Sequence, residues 1–275
     1  MIKVNDHKTL VNQSFYTEGP VIDSSGNFYF TTLTGGKIMK VDVSGEQSVW
    51  AEMSCPNGQT ILENGDHLVC DSKQAVILRF NSHGNFIRKE IEGYCAESPI
   101  NCTNDIISDS SGNIYFTDSV RHTGFVGFIS NANQEKIISL NLDYPNGLAL
   151  SNDESMLFVA ESYKNRILAF DLTDFGKRHL VPEVFAALPE HITGEITRNL
   201  PDGIKVDLEG NIWVAHYGMG MVHILSPEGV LLQSVNTGFD LTSNLFIYEN
   251  MAMVTGGYGE PGPGAFLEIE FKYED

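Results

Sequence analysis

Residues 201–214 read PDGIKVDLEGNIWV and contain the unit that repeats along this chain. The unit opens with a polar residue beside a small one, Asp202-Gly203, and reaches Gly210 eight positions later. A run rich in β-branched and aromatic residues follows, which favours a strand, and the Gly supplies the positive φ of a hairpin turn. Related openings recur at Glu18-Gly19-Pro20, Pro56-Asn57-Gly58, Thr103-Asn104-Asp105, Pro145-Asn146-Gly147 and Ser243-Asn244-Leu245.

The spacing of these openings predicts the fold. Their polar residues are 39, 47, 42, 56 and 42 positions apart, and a period of about 40–45 residues built from short strands is typical of a propeller blade. We therefore expect a single all-β domain over residues 1–275, a six-bladed β-propeller with four-stranded antiparallel blades. Residues 9–15 are expected to supply an N-terminal strand that closes the ring and covers a sheet edge. Residues 171–200 depart from the repeat and are interpreted as an outer strand followed by a long surface loop.

Composition limits the classes of partner. The formal net charge is −19, which repels phosphate backbones and argues against nucleic acid. The chain has no run of eighteen apolar residues, so we expect no membrane span, and residues 1–8 are too polar for a signal-peptide core. The four cysteines form no CxxC pair and are expected to be free thiols in a cytoplasmic protein.

The openings predict a ring of oxygen-bearing side chains around the propeller axis. Oxygen ligands suit Ca²⁺, whereas zinc or copper would favour His or Cys. Alternatively, these side chains cap strand-entry turns, as Asn and Asp often do. Two carboxylates that converge without a cation would repel each other, which favours the metal site for the set. The predicted inner ring is Glu18, Asn57, Asn104, Asn146, Asp202 and Asn244.

A second ring is predicted at the ends of the following strands. It comprises Thr32, Asp71, Asp118, Glu161, His216 and Thr255. His216 is a candidate general base because histidine titrates near neutrality; the alternative is a structural histidine packed by Tyr217.

The motifs, in this order over essentially the whole chain, resemble the senescence-marker/gluconolactonase/luciferin-regenerating-enzyme family of six-bladed propellers. The resemblance implies a metal-dependent lactonase with one divalent ion, most often Ca²⁺, with Zn²⁺, Mn²⁺ and Mg²⁺ as alternatives. It implies that Glu18, Asn146 and Asp202 bind the metal, that Asp202 is the general base, and that Asn104 contacts the substrate. The matching strings are Glu18-Gly19-Pro20, Asn104-Asp105, Gly112-Asn113-Ile114-Tyr115-Phe116-Thr117-Asp118, Pro145-Asn146-Gly147, Pro201-Asp202-Gly203 and Ser243-Asn244-Leu245.

The chain also departs from the sugar-lactone members of that family. Cys102 stands where they have a substrate-contacting Arg, and His122 stands near the place of an acidic substrate contact. Both departures weaken the expectation of gluconolactone as the substrate and leave the metal ligands intact. His122 and His216 remain candidate substrate-binding residues.

The expected reaction is opening of a small-molecule lactone by a monomer or small homo-oligomer, with metal polarisation of the carbonyl and attack by a water that a carboxylate activates. No Gly-x-Ser-x-Gly elbow is present, which argues against a serine hydrolase. The alternatives are a phosphotriesterase or diisopropyl-fluorophosphatase-like hydrolase, a metal-independent strictosidine-synthase-like enzyme, and a non-enzymatic propeller that binds proteins.

Overall fold

The chain folds as an all-β structure with a propeller-like arrangement of sheets. The computed structural model describes residues 2–176 and 180–273, without the side chains of residues 5–11 and 174. Its first strand, β1, spans Ile2–Gln13. In the described residues no helix is long and apolar enough to cross a membrane. Short 3-10 helices lie at Leu33–Gly35, Ser162–Lys164, Leu172–Asp174 and Ile196–Arg198.

Four sheets have four strands each, in chain order and antiparallel, as the repeat predicts. The first contains β2 (Glu18–Ile22), β3 (Phe28–Thr31), β4 (Lys37–Val41) and β5 (Gln47–Glu52). The second contains β6 (Pro56–Ile61), β7 (His67–Asp71), β8 (Val76–Phe80) and β9 (Phe86–Glu92), and a small hairpin of β10 (Tyr94–Cys95) and β11 (Ser98–Pro99) follows it. The third contains β12 (Thr103–Ser108), β13 (Ile114–Asp118), β14 (Gly124–Ile129) and β15 (Glu135–Leu142). The fourth contains β16 (Pro145–Leu150), β17 (Met156–Glu161), β18 (Arg166–Asp171) and β19 (Glu183–Ala187).

The remaining strands form one eight-stranded sheet. It contains β20 (Leu200–Val206), β21 (Ile212–Tyr217), β22 (Met221–Leu225), β23 (Leu231–Asn236), β24 (Leu241–Tyr248), β25 (Met251–Gly257), β26 (Gly264–Tyr273) and β1. Its two halves are joined by a single pairing, Tyr217 with Leu241. β1 pairs antiparallel with β26, from Ile2 opposite Tyr273 to Gln13 opposite Gly264. The N-terminal strand, Ile2–Gln13, therefore begins seven residues before the expected segment 9–15 and ends two residues before the end of that segment.

The interval 171–200 contains one outer strand and a long connection, as interpreted from the sequence. β19 pairs with β18 at the edge of the fourth sheet, and the chain then runs to β20 at Leu200. Residues 177–179 of this interval lie outside the described residues.

The first strands of successive units lie against one another. β2 contacts β6, β6 contacts β12, β12 contacts β16, β16 contacts β20, β20 contacts β24, and β24 contacts β2. These strands therefore surround a common axis. The polar residue near the start of each strand is carried to the same region of the molecule.

The hairpin turns have the predicted chemistry. In the turn between β20 and β21, Asp207 Oδ1 accepts hydrogen bonds from the backbone N–H groups of Glu209 and Asn211 at 3.0 and 2.9 Å. Asp207 Oδ2 accepts one from Trp213 Nε1 at 2.9 Å, which ties the turn to the strand after it. Four units have a turn glycine eight residues after the polar residue of the opening, with φ of 82°, 82°, 78° and 82° at Gly26, Gly65, Gly112 and Gly210.

The glycines in the strand openings have a different role: they allow the innermost strands of neighbouring units to lie close together. A Cβ at Gly147 would overlap the Asp202 carbonyl oxygen on the neighbouring strand. One at Gly58 would overlap the Asp105 carboxylate, and one at Gly19 would overlap the Asn57 carbonyl. Only a residue without a side chain lets the innermost strands pack at this distance.

Replacing Gly147 with Ala is expected to lower the free energy of unfolding by about 3 kcal/mol, because the overlapping atoms are backbone atoms that cannot move aside. Denaturant unfolding measures this change. Gly45→Ala is the comparison, since Gly45 has a φ of 87° and no atom within 4 Å of its added Cβ; it should cost only about 1 kcal/mol from backbone conformation. Equal losses would show that steric overlap is not the determinant.

Aromatic side chains pack between strands of different repeat units. Trp213 packs on Phe271 at 4.8 Å between ring centroids, and Phe28 stacks on Phe266 at 4.1 Å. Phe266 and Phe271 come from the last strand, so these contacts join the end of the chain to early and late units. All four cysteines, Cys55, Cys70, Cys95 and Cys102, are free, as expected.

A buried histidine lies in this packing. The His67 ring is 4.2 Å from the Trp50 ring and 4.7 Å from the Tyr29 ring, and its Nδ1 lies 3.3 Å from Gln59 Oε1. Burial lowers the pKa of His67 to about 4. The folded protein therefore keeps this ring neutral where the unfolded chain protonates it.

Acidification is expected to destabilise the fold through His67. The unfolded state gains the proton as pH falls below about 6.5, and the folded state gains it only near pH 4, so the free energy of unfolding falls across this window by about 1.4 kcal/mol per pH unit. Urea unfolding at pH 7 and pH 5 should show a smaller loss for His67→Gln than for wild type. His83→Gln, at an exposed position, is the control; a wild-type slope in the His67 variant would contradict the assignment.

Candidate active site

A cavity of about 280 Å³ lies where the innermost strands begin. Five members of the predicted inner ring line it, and the sixth, Asn244, is buried beside it and affects the Glu18 carboxyl through a side-chain hydrogen bond. The lining residues are Tyr16, Glu18, Leu33, Asn57, Asn104, Tyr144, Asn146, Ser162, Tyr163, Leu200, Asp202, Tyr217 and Glu260.

Every innermost strand has an irregularity at its opening. The pairing of β12 with β13 shifts register between Thr103 and Ile106, and β6, β16 and β20 shift at the matching place. The shift lies one residue later in β2, between Glu18 and Val21, and between Thr242 and Asn244 in β24. A β-bulge inserts an unpaired residue and redirects side chains. The repeated bulge is thus the local structure that aims the inner ring at the axis.

Serine hydroxyls connect four pairs of neighbouring units just before an inner-ring residue. Each hydroxyl donates to the carbonyl of the residue that precedes Asn104, Asn146, Asp202 or Glu18. The bonds run from Ser72 to Thr103 at 2.8 Å, from Ser119 to Pro145 at 2.5 Å, from Ser162 to Pro201 at 2.7 Å, and from Ser243 to Thr17 at 2.8 Å. These bonds fix the position of the ring residues from the neighbouring unit.

The second predicted ring mainly stabilises backbone. Asp118 Oδ1 accepts from the N–H groups of Asn101 and Cys102 at 2.8 and 2.6 Å, and Asp71 holds the residues before β6 in the same way. These carboxylates cap the segments that lead into the innermost strands.

Two carboxylates face the cavity from opposite parts of the chain. Glu18 and Asp202 are 4% and 7% exposed. Burial raises the pKa of Asp202 well above its usual value, and the charges of Glu18 and Asp105 raise it further. Burial likewise raises the pKa of Glu18, with a contribution from Asp105. Buried carboxylates that repel one another carry a large electrostatic cost unless a proton or cation accompanies them.

Asn146 presents an amide oxygen that has no partner. Its side chain stabilises the charged form of Asp202 through a hydrogen bond, while its Oδ1 is buried and makes none. Asn57 Oδ1, in the same cavity, is also unpaired. Unsatisfied buried oxygens are costly, so these atoms are suited to a ligand.

Few of the side chains that could bind a metal ion in this cavity are anionic. Among the described residues, no group of three or more His, Cys, Asp or Glu side chains is arranged to hold a metal ion. A cation held by Glu18 and Asp202 would need neutral oxygens as well, and the unpaired Asn146 Oδ1 is such a donor. The residues therefore fit a hard divalent cation.

Asp105 belongs to this buried group, although it is absent from the predicted ring. It is 2% exposed, its Oδ1 accepts from the Ile106 N–H at 2.9 Å, and its Oδ2 has no partner. Burial raises its pKa. The sequence feature that could have identified Asp105 is its position directly after Asn104, where most units have Gly.

The two histidines among the predicted site residues lie away from the cavity lining. His216 is fully buried, and its Nδ1 lies 2.9 Å from His223 Nε2. Burial lowers the pKa of His216 to about 3, so the ring is neutral at pH 7. The His122 side chain is 70% exposed, and its Nδ1 lies 3.3 Å from Asp143.

Aromatic side chains form the cavity wall around these polar groups. Tyr16 meets the Tyr217 ring edge-on at 6.3 Å, and the Tyr217 hydroxyl donates to Glu260 Oε1 at 3.0 Å. Burial raises the pKa of Tyr16 well above its usual value, and Asp202 and Glu18 add to the rise. Glu260 comes from the Gly-rich segment 256–264.

Comparison with known proteins identifies the family. The SMP-30/Gluconolactonase/LRE-like region matches residues 16–253. The chain belongs to this family. Its members include lactonase- and gluconolactonase-like hydrolases, and the resemblance read from the sequence is thereby confirmed.

Curated relatives of this family member are lactonases. Lactonase drp35 of Staphylococcus haemolyticus is 29% identical over 232 residues, covering 79% of this chain and 68% of that protein. Lactonase drp35 of a bovine Staphylococcus aureus strain is 30% identical over 224 residues, covering 77% and 67%.

Solved structures share the fold. The gluconolactonase XC5397 of Xanthomonas campestris aligns with a TM-score of 0.81 at 23% identity, covering 97% of this chain and 89% of that one. The calcium-binding protein regucalcin of Agrobacterium tumefaciens aligns with a TM-score of 0.80 at 20% identity, covering 98% and 95%.

Proposed function

We propose that this protein is a metal-dependent lactonase in which Glu18, Asn146 and Asp202 bind one divalent cation. The observation that carries the proposal is the buried, unpaired Asn146 Oδ1 beside two buried carboxylates. A cation would satisfy the amide oxygen and offset the repulsion between the carboxylates. The lactonase activity of the relatives supports the reaction class.

Calcium is the cation we propose. Carboxylate and amide oxygens are the ligands it prefers, and regucalcin, which shares the fold, is a calcium-binding protein. Zn²⁺, Mn²⁺ and Mg²⁺ are the alternatives that a metal-replacement assay would rank.

The chemistry divides between the cation and the side chains. When bound, the cation supplies a Lewis acid that polarises the lactone carbonyl. Asp202 accepts a proton from the water as its oxygen bonds to the carbonyl carbon, and then returns that proton to the ring oxygen as the ring C–O bond breaks, which gives a hydroxy acid and restores the Asp202 carboxylate. Asn104 lies in the wall of the same cavity and would orient the substrate.

Asp202 is a better candidate base than His216. Asp202 lines the cavity, whereas His216 is fully buried outside the lining and is bonded to His223. Substrate contact by His122 would require a lactone large enough to reach an exposed side chain beside Asp143.

The substrate we propose is a small, neutral lactone. Glu18, Asp202 and Glu260 line the cavity, and its described lining contains no Lys or Arg. An anionic substrate would meet repulsion there. The tyrosines and Leu33 offer apolar contact area instead.

We also infer that the eight-stranded sheet is two blades, which makes a six-bladed propeller. Its halves share a single pairing, and β20 and β24 each take a place in the circuit of innermost strands. In this interpretation β1 is the outer strand of the last blade and closes the ring through β26.

The first experiment is hydrolysis of a lactone panel that includes gluconolactone and neutral aliphatic and aromatic lactones, followed with a pH indicator. Purified protein is assayed as prepared, after chelation, and after Ca²⁺ or Zn²⁺ is restored. Turnover that chelation abolishes and Ca²⁺ restores is the expected result. Turnover that survives complete metal removal would contradict metal dependence, and hydrolysis of organophosphates without any lactone would favour the phosphotriesterase alternative.

A further inference from the structure

The Tyr16 hydroxyl is a buried donor without a protein partner. Tyr16 is 3% exposed, it lines the same cavity as Glu18 and Asp202, and its hydroxyl makes no hydrogen bond. Leaving a buried hydroxyl unpaired costs free energy, and such atoms call for an explanation in a folded protein.

The backbone that carries Tyr16 is also anchored. The Tyr16 N–H donates to the Pro261 carbonyl at 2.9 Å. The next residue is tied down by Thr17 Oγ1, which donates to the Gly256 and Ala265 carbonyls at 3.0 and 2.6 Å. An anchored backbone and a buried ring limit the movement of the Tyr16 side chain, which favours preorganised electrostatic stabilisation.

Two other buried or partly buried tyrosines donate their hydroxyls to carboxylates of the protein. Tyr217, in the same cavity, donates to Glu260 at 3.0 Å, and Tyr29 donates to Asp23 Oδ2 at 3.0 Å. Tyr16 has neither kind of partner although carboxylates are nearby. Its hydrogen is therefore available to something that enters the cavity.

We propose that the Tyr16 hydroxyl donates a hydrogen bond to the lactone oxygen that gains negative charge during ring opening, a role that rests on the proposed lactonase function. No proton is transferred in this step; the bond strengthens as charge develops. Tyr16 would then stabilise that oxygen together with the cation. It would do so as a neutral hydrogen-bond donor on the cavity wall.

Tyr16→Phe tests the proposal because it removes only the hydroxyl. Since no protein hydrogen bond is lost, the melting temperature should stay the same or rise. With a lactone that wild type hydrolyses, kcat and kcat/KM should fall together by about 100-fold, as for removal of an oxyanion donor. Calcium affinity by calorimetry should stay at the wild-type value.

Tyr29→Phe is the matched control. It removes a satisfied hydroxyl outside the cavity lining, so it should lower the melting temperature and leave kcat unchanged. An unchanged kcat in Tyr16→Phe would overturn the proposal, as would an effect on KM alone or a loss of calcium affinity. Absence of lactone turnover in wild type would instead refute the lactonase function itself, and the Tyr16 role with it.

Discussion

Replacing Asp202 with Asn is expected to reduce lactone turnover by about 10²- to 10⁴-fold, the usual contribution of a general base. The amide keeps the size of the side chain and an oxygen that can face the cation, but it cannot accept the proton of the attacking water. Turnover at saturating Ca²⁺ measures the loss, because the excess metal compensates for weaker binding at a site with one charge fewer.

The same substitution is expected to change the stability of the metal-free protein. Burial and the Glu18 charge oppose ionisation of Asp202, so removing its charge should stabilise the metal-free fold at pH 7. Asp240→Asn, at a side chain that is 70% exposed, changes net charge equally and should alter neither property. Wild-type turnover in the Asp202 variant with metal bound would exclude Asp202 as the base.

Replacing Glu18 with Gln is expected to weaken calcium binding by about 100-fold or more, because affinity depends strongly on the number of charged ligands. Glu18 and Asp202 are the two carboxylates of the proposed donor set, and the substitution removes half of that charge. Calcium titration calorimetry of the purified variant measures the change directly, without a need for the substrate.

Glu260→Gln separates ligation from general electrostatics. Glu260 lies in the cavity wall and accepts a hydrogen bond from Tyr217, but it is outside the proposed donor set. Its loss should weaken calcium binding by less than about 10-fold, since a more distant charge is partly screened. Equal losses in the two variants would mean that the cavity attracts calcium only through its overall charge.

The repeat was readable because local chemistry and global geometry agree in this chain. Gly210 adopts the positive φ expected of a turn, and Asp207 supplies the side-chain bonds that such turns use. The position of Asn146 follows from the same counting, since each innermost strand starts at an equivalent place. These features depend on short stretches of sequence, and pattern alone predicts them.

The contents of the site depend on contacts that no short stretch encodes. Alternation along β12 would send Asn104 and Asp105 to opposite faces, but the shift between Thr103 and Ile106 interrupts that alternation, and both side chains are buried near the axis. Likewise, the repeat spacing predicts that His216 occupies the same register position as Asp118. Its ring, however, is hydrogen-bonded to the His223 ring on the neighbouring strand. Only the paired strands show which neighbour each side chain meets.

Thr17 has a consequence for the order of events during protein synthesis. Its hydroxyl donates to the carbonyls of Gly256 and Ala265, so the segment that positions Tyr16 and Glu18 is anchored by residues translated 239 and 248 positions after Thr17. A ribosome-bound chain that stops before residue 256 has made every proposed metal ligand but lacks this anchor. We therefore expect nascent chains to gain tight calcium binding abruptly, after the last two strands emerge, and not in steps as each ligand is translated.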